Sequence, residues 1–176
     1  MPSLDDWLPD PTIRTHHRRS AAAEPARLWE CAVAVRLADT TTLGRLVRWR
    51  IPGTPPARTF HEVFREYPFT VLDEGEQMLV SGLCGRIWTL ARDYPRLSGA
   101  DEFRNWAERG TVRVLFGHWV QGASHGRVEL VSEARVSPVD LTARPRLRAM
   151  WTVVGPFERL VGAEGLNVAV RRAEEG

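Results

Sequence analysis

The spacing of hydrophobic and polar positions changes along the chain and predicts an ordered series of elements. Residues 15–22 are predicted as a short strand. A helix then begins at Glu24 and Pro25, because proline is tolerated at the first helical position. Leu28 and Trp29 fall on the apolar side of that helix. The chain therefore opens with a strand followed directly by an amphipathic helix.

Two further helical segments are predicted in a helical insert near residues 39–66. Residues 43–51 are amphipathic and end at a Pro-Gly pair, which interrupts helices. Thr59 is in position to cap a second, shorter helix. Aromatic residues of the insert are candidates to cover a cavity mouth or to form a homodimer surface; they are Trp49, Phe60 and Phe64.

Alternating polar and apolar residues between positions 69 and 136 predict an antiparallel sheet. The alternation is clearest in residues 111–121, which place His118 in phase with apolar neighbours, and in residues 127–136. Residues 122–126 are predicted as the hairpin turn between these two strands. Shorter strands are predicted at 69–72, 78–83 and 86–90.

A long helix is predicted near the C-terminus. An interior proline removes a backbone hydrogen bond and costs about 3 kcal/mol, so a kink or a break is expected at Gly155 and Pro156. Residues 166–173 are expected to resume as a helix. The apolar residues that define the long helix recur every three or four positions; they are Leu147, Met150, Trp151, Val154, Phe157 and Val161.

The opening of the chain also carries a short motif. Residues 20–25 read SAAAEP and are followed by Leu28 and Trp29, which gives a strand, a small-residue turn, a proline and a tryptophan in order. With its later elements the chain resembles the START-like, or SRPBCC, superfamily, which includes the polyketide cyclases. The resemblance covers roughly residues 14–173. It implies an α+β helix-grip fold, in which a curved antiparallel sheet wraps around a long C-terminal α-helix and encloses a cavity.

The length of the chain fits one domain with a short leader. At 176 residues, the expected division is a loosely ordered leader, residues 1–14, and a single START-like domain, residues 15–176. Trp7 and Leu8 of the leader are expected to dock on that domain. No stretch approaches the ~20 apolar residues that a membrane span needs. The leader also lacks a signal-like apolar core, so a cytoplasmic location is expected.

The composition limits the kinds of reaction and ligand that are expected for the chain. All strongly basic side chains are arginine, so Schiff-base and lysine general-base catalysis are excluded. The net charge is only +2 and the arginines are interspersed with acids, so nucleic-acid binding is not indicated. Cys31 and Cys84 are expected to be buried free thiols. Neither a metal nor a cofactor is expected, because no metal-ligand spacing, P-loop or dinucleotide motif is present.

Residues predicted to face the cavity come from two strands and the long helix. His118 is the foremost candidate, because a buried neutral imidazole could orient a ligand carbonyl or act as a general base. Arg86 and Trp88 share a face, either as a structural stack or as a cation at the cavity mouth. Residues 16–19, His-His-Arg-Arg, are interpreted as a solvated edge. The ligand-binding candidates, each with a plain core role as the alternative, are His118, Phe116, Val114, Arg86, Trp88, Ser132, Met150, Trp151 and Val154.

Three functions remain open from the sequence. The first is non-enzymatic binding of a small hydrophobic molecule, lipid- or polyketide-like, and it follows from the superfamily resemblance. The second is an aromatase/cyclase-like enzyme that moves protons with His118 and Arg86. The third is an interaction module with a filled core, for which the aromatic residues of the insert would supply a homodimer surface. One fold hosts many functions, so the resemblance does not choose among them.

Overall fold

A five-stranded antiparallel sheet forms the frame of the molecule. The computed structural model describes residues 2–89 and 94–175. The strands are β1 (Ile13–Ala21), β2 (Thr70–Gly75), β3 (Met78–Gly85), β4 (Val112–Gly122) and β5 (Val128–Pro138). They lie in the order β1-β5-β4-β3-β2, and every neighbouring pair is antiparallel. The predicted hairpin between the two longest strands is confirmed by the β4–β5 pairing.

Within the described residues, six α-helices accompany the sheet. They are α1 (Pro25–Val33), α2 (Leu43–Arg50), α3 (Phe60–Arg65), α4 (Ala100–Asn105), α5 (Ala143–Val161) and α6 (Glu164–Glu175). α1 begins at the predicted proline. α3 begins with the predicted cap, since the Thr59 hydroxyl accepts a hydrogen bond from the Glu62 backbone N–H at 3.1 Å. Both helices of the predicted insert are therefore present.

The two faces of the sheet carry different layers. Successive side chains of β4 point to opposite faces. Val114 packs with Leu147 of α5 on the inner face, whereas Leu115 and Trp119 belong to the cluster on the outer face. A curved antiparallel sheet that holds long C-terminal helices on one face is the helix-grip arrangement. The predicted α+β fold class is confirmed.

The C-terminal helices cross the inner face one after the other. Leu147 of α5 is fully buried near one end of the sheet, and Leu166 and Ala169 of α6 are buried near the other. α6 also packs against α1, where Leu28 belongs to the same cluster. The helix expected over residues 166–173 is confirmed as part of α6.

The long helix does not break at its interior proline. α5 is continuous through Pro156, so of the kink or break expected at Gly155 and Pro156, the break is wrong. Proline forfeits one backbone hydrogen bond, whereas a helix break leaves several N–H and C=O groups without partners. The chain breaks instead at Gly162, directly after the last residue of α5. A β-carbon there would lie 2.4 Å from Nε2 of His17, so only glycine fits without a shift.

The predicted strand at residues 86–90 is also wrong for the residues that are described. β3 ends at Gly85, whose φ of 140° is outside the range that other residues readily adopt. Residues 86–89 then leave the sheet in a turn, and residue 90 lies outside the described residues. The strand predicted at 69–72 is longer than expected, because β2 extends to Gly75.

The N-terminal segment covers the outer face of the sheet. Leu4, Trp7 and Leu8 are buried there. The Trp7 ring meets the Phe103 ring edge-on, with 6.3 Å between their centroids. The Arg104 guanidinium lies 3.9 Å from the centroid of the same Trp7 ring. The docking expected for Trp7 and Leu8 is therefore present.

A buried ion network also joins this segment to the sheet. Arg135 and Glu133 are 4% and 2% exposed, and Nε of the arginine donates to the carboxylate at 2.6 Å. The same guanidinium donates to the backbone carbonyl of Leu8 at 2.7 Å. Arg14 and His16 of β1 also contact Glu133. The charges are paired and hydrogen-bonded, as buried charges must be.

Candidate functional site

A cavity of about 360 Å³ lies between the inner face of the sheet and the helices. Strands β1, β3, β4 and β5 contribute to one side, and α1, α2, α3, α5 and the start of α6 contribute to the others. Val154 and Phe157 line the cavity and keep 42% and 40% of their surface exposed, so the cavity meets the exterior along α5. Most of the lining is apolar, and its aromatic rings are Trp29, Phe60, Phe64, Phe69, Phe116 and Phe157.

Helix α2 forms one wall of the cavity and is fixed at both ends. At its N-terminus, the Glu164 carboxylate accepts hydrogen bonds from the backbone N–H groups of Thr42 and Leu43 at 2.9 and 3.0 Å. The negative charge of a carboxylate in this position also interacts favourably with the positive end of the helix dipole. At its C-terminus, Arg50 donates to the Tyr94 hydroxyl. α2 therefore holds its apolar residues over the cavity without a large buried interface of its own.

His118 reaches the cavity from β4 and is its most informative polar group. Its Nε2 atom is buried and has no hydrogen-bond partner within the described part of the chain. Burial lowers the pKa of His118 from 6.5 to about 4, and the nearby His61 adds to this effect. The imidazole is therefore neutral at neutral pH, with one nitrogen able to accept a hydrogen bond and the other able to donate one.

Aromatic rings hold the His118 imidazole in place. The Phe64 ring lies 4.7 Å from it and is tilted by 44°. The centroid of the Phe64 ring also lies 5.0 Å from that of Phe116, which is two residues before His118 on the same face of β4. The imidazole is thus fixed by packing, while one of its polar atoms stays unsatisfied. Buried polar atoms are rarely left unpaired in folded proteins. The described residues contain one other such atom, Oγ of Ser81, but Ser81 does not line the cavity.

A second polar point lies where β1 meets α5. His17 Nε2 is 2.7 Å from the Glu158 carboxylate, and both residues line the cavity. The side chains are 16% and 23% exposed. Because Gly162 has no β-carbon, its backbone can lie directly against this pair. The pair ties the cavity wall formed by α5 to the edge strand of the sheet.

His61 supplies a third polar point from α3. Its ring meets the Trp29 ring edge-on at 6.0 Å. Burial, followed by the positive charge of Arg65, lowers the pKa of His61. The cavity is thus an apolar space with a few polar groups on separate walls, which is the usual composition of a small-molecule site.

The structure brings together four of the nine candidate ligand-binding residues. His118, Phe116, Ser132 and Val154 all line the cavity. They come from β4, β5 and α5, the elements from which the sequence predicted the site. Their role in binding stays a prediction.

The other five candidates lie beside the cavity or away from it. Val114 is buried in the packed cluster around Leu147 of α5. Trp88, Met150 and Trp151 are partly buried against the same cluster. Arg86 is partly exposed, and its guanidinium lies 3.8 Å from the Glu108 carboxylate. None of these five is among the residues that line the cavity.

Several lining residues were not among the sequence candidates. His17 belongs to the run interpreted as a solvated edge, yet it lines the cavity. The alternation of β1 was the available signal, because His17 and Thr15 share the inner face while Arg14, His16 and Arg18 point to the outer one. His61, Arg50 and Glu158 carried no comparable signal, since they are single polar residues on short or basic helices.

The described residues contain neither a cluster of metal ligands nor an exposed thiol. Across residues 2–89 and 94–175, no group of three or more histidine, cysteine or acidic side chains could hold a metal ion. Cys31 and Cys84 are free and buried, and burial raises the pKa of the Cys84 thiol to about 12. In the same ranges no helix is both long and apolar enough to cross a bilayer.

Comparison with known proteins yields distant structural likenesses. No protein-family model matches the chain, and no curated protein matches it. A hypothetical protein from Helicobacter pylori, jhp0584, is 11% identical with a TM-score of 0.46, over 96% of this chain and 93% of that one. The Zhui aromatase/cyclase from Streptomyces sp. R1128 is 16% identical with a TM-score of 0.35, over 93% and 94%. XoxI from Bacillus cereus is 11% identical with a TM-score of 0.35, over 92% and 96%.

Proposed function

We propose that the chain binds a small, mainly apolar molecule that carries one hydrogen-bonding group, and that it does so without catalysis. The supporting observation is that Nε2 of His118, which is buried and has no hydrogen-bond partner among the described residues, lies on the wall of a mainly apolar cavity. The cavity volume of about 360 Å³ lies in the range of small-molecule sites, about 300–1,000 Å³. A hydroxyl or carbonyl of the ligand would satisfy the imidazole, and the remaining surface of the ligand would be desolvated.

The pKa of His118 favours binding over proton transfer. A general base is most effective when its pKa lies near the working pH. Burial holds the pKa of His118 at about 4, so the imidazole is a weak base near neutral pH. Arg86, the second residue of the cyclase-like alternative, is paired with Glu108 and does not line the cavity. The enzyme alternative keeps support only from the separate polar points at His17 and His61.

A cavity-blocking variant tests the proposal. Val154 lines the cavity, whereas the neighbouring Val153 is 78% exposed and does not. We expect Val154→Trp to abolish binding of the fluorescent probe naphthol and Val153→Trp to leave it unchanged. Equal binding by both variants would place the probe elsewhere and contradict the proposal.

The role of His118 requires a second comparison. Naphthol and naphthalene differ by one hydroxyl, so the wild-type protein should bind naphthol more tightly. His118→Phe should remove that difference while binding of naphthalene persists, because the hydrogen bond is lost and the apolar space is kept. A native mass spectrum of the purified protein complements this test, since a carried ligand appears as an extra mass that is released on denaturation.

A further inference from the structure

Positive charge is concentrated on two of the helices that line the cavity, α2 and α5. α2 and α5 together hold seven arginines and one acidic residue, Glu158. The formal net charge of the whole chain is only +2, so the part outside these helices is net negative. The single acid is already engaged, because its carboxylate lies 2.7 Å from His17.

The arginines of these helices differ from those of the remaining surface. Elsewhere arginines are commonly paired, as Arg127 is with Glu174 and Arg172 with Asp39. No ion pair of the described residues includes an arginine of α2 or α5. Six of these arginines are exposed: Arg45, Arg48, Arg144, Arg146, Arg148 and Arg159.

Large apolar side chains are exposed among these arginines. Trp49 of α2 is 65% exposed, and Val153 and Phe157 of α5 are 78% and 40% exposed. Arg146 precedes Val153 by seven residues and Phe157 by eleven, so the three share one side of α5. Arginine and tryptophan side by side suit the boundary of a bilayer, where guanidinium groups meet phosphates and the indole lies at headgroup depth.

We infer that this surface docks the protein on an anionic lipid bilayer, with the exposed side of the cavity turned toward the membrane. The surface consists of Arg45, Arg48, Trp49, Arg146, Val153 and Phe157, and is called the α2–α5 surface below. Phe157 belongs both to this surface and to the cavity lining. The contact is peripheral, and phosphate groups neutralise the unpaired guanidinium groups.

A bilayer fits the surface better than a second copy of the chain does. In a two-fold dimer the same patch faces itself, so arginines would meet arginines with no acid to separate them. An acidic protein would match the charge, but it would also need an apolar patch shaped to the exposed Trp49, Val153 and Phe157. A bilayer supplies both phosphates and hydrocarbon at the same boundary.

Vesicle sedimentation tests the inference with the intact protein. We expect binding to vesicles that mix phosphatidylcholine with phosphatidylserine, little binding to phosphatidylcholine alone, and loss of binding as salt is raised. The double variant Arg48→Glu, Arg146→Glu should bind at least about tenfold more weakly, since two cations near the lipid phosphates become anions. Trp49→Ser should weaken binding without removing its dependence on phosphatidylserine.

A matched double variant controls for net charge. Arg18→Glu, Arg27→Glu changes the charge by the same amount, but these exposed arginines lie on β1 and α1. Normal vesicle binding by this control, together with weak binding by the α2–α5 variant, supports the inference. Equal loss in both variants overturns it in favour of non-specific attraction. The inference is also overturned if the wild-type protein does not bind these vesicles at low salt. It is overturned as well if the wild-type protein is a dimer that Trp49→Ser dissociates.

The measurement is independent of any ligand in the cavity. Sedimentation reports the docking surface alone, and the naphthol measurements report the cavity alone. If the protein binds vesicles but not naphthol, the proposed function is contradicted and the membrane-docking inference is supported. If it binds naphthol but not vesicles, the proposed function is supported and the membrane-docking inference is contradicted.

Discussion

Nε2 of His17 lies 2.7 Å from Oε1 of Glu158, and this contact joins the edge strand β1 to helix α5 at the wall of the cavity. Near its N-terminal end, α5 packs on the sheet through the fully buried Leu147, whereas the pair holds the C-terminal part of the helix. The pair is partly buried, and a hydrogen bond to a charged group in such a place contributes about 1.5–3 kcal/mol. It therefore restrains the α5 wall at the cavity, in addition to the packing around Leu147.

We predict that removing this restraint speeds the release of molecules from the cavity. Glu158→Ala deletes the acceptor, and Gly162→Ala displaces it, because the new β-carbon would lie 2.7 Å from the Glu158 carboxylate. Stopped-flow dissociation of naphthol should be faster in both variants. The neighbouring exposed residue supplies the control, since Arg159→Ala should leave the rate unchanged. Dissociation at the wild-type rate in both test variants would show that the pair does not hold the wall.

Replacing His118 by phenylalanine is predicted to stabilise the protein. The substitution removes a buried polar atom that lacks a partner, and such an atom costs about 1–3 kcal/mol. The new ring can pack against Phe64, which already lies 4.7 Å from the imidazole. Urea denaturation should give a free energy of unfolding that is higher by about 1 kcal/mol. A large destabilisation would instead mean that His118 is a hydrogen-bonded core residue.

The fold was more predictable from sequence than the site was. Period-two alternation in β4 depends only on which face each side chain takes, so it placed Phe116 and His118 correctly on the inner face. Whether a residue lines a cavity depends on the volumes of its neighbours across the sheet. Val114 shares the face of His118, yet Leu147 of α5 fills the space above it. Such long-range packing leaves no pattern in a single sequence.

The same limit explains the residues that sequence reasoning missed. His17 could have been found from the alternation of β1, but its charged neighbours resemble a solvated edge. Its partner, Glu158, is 141 positions away in the chain. At the interior proline, the sequence favoured a break that the structure does not have. Pro156 costs the helix one local hydrogen bond, but the helix continues through it. Local sequence patterns predicted most of the helices and strands, whereas contacts between residues distant in the chain determined where those predictions failed.

Two tryptophans, Trp7 and Trp49, are predicted to differ strongly in their effect on stability. Trp7 is 8% exposed on the outer face, whereas Trp49 is 65% exposed on α2. Trp7→Ala should lower the free energy of unfolding by about 3–5 kcal/mol, since it removes a buried ring from the cluster that includes Phe103. Trp49→Ala should change it by less than about 0.5 kcal/mol. Similar values for both in thermal denaturation would mean that the leader is not held against the sheet.

Acid is predicted to destabilise the protein through His118 before most carboxylates titrate. The pKa of His118 is 6.5 in the unfolded chain and about 4 in the folded protein, because burial disfavours the charged ring. Between these values the unfolded chain binds a proton that the folded protein does not, so the free energy of unfolding falls as the pH falls. Each pKa unit is worth about 1.4 kcal/mol, which gives a loss of about 3 kcal/mol over the whole window.

The comparison with His118→Phe isolates this contribution. Burial also lowers the pKa of His61, so that residue adds a slope of the same sign to both proteins. The difference between the two stability curves should therefore be flat above pH 6.5 and should widen down to about pH 4. Chemical denaturation across this range measures it. Parallel curves would mean that the folded protein protonates His118 as readily as the unfolded chain does, and that its ring is open to water.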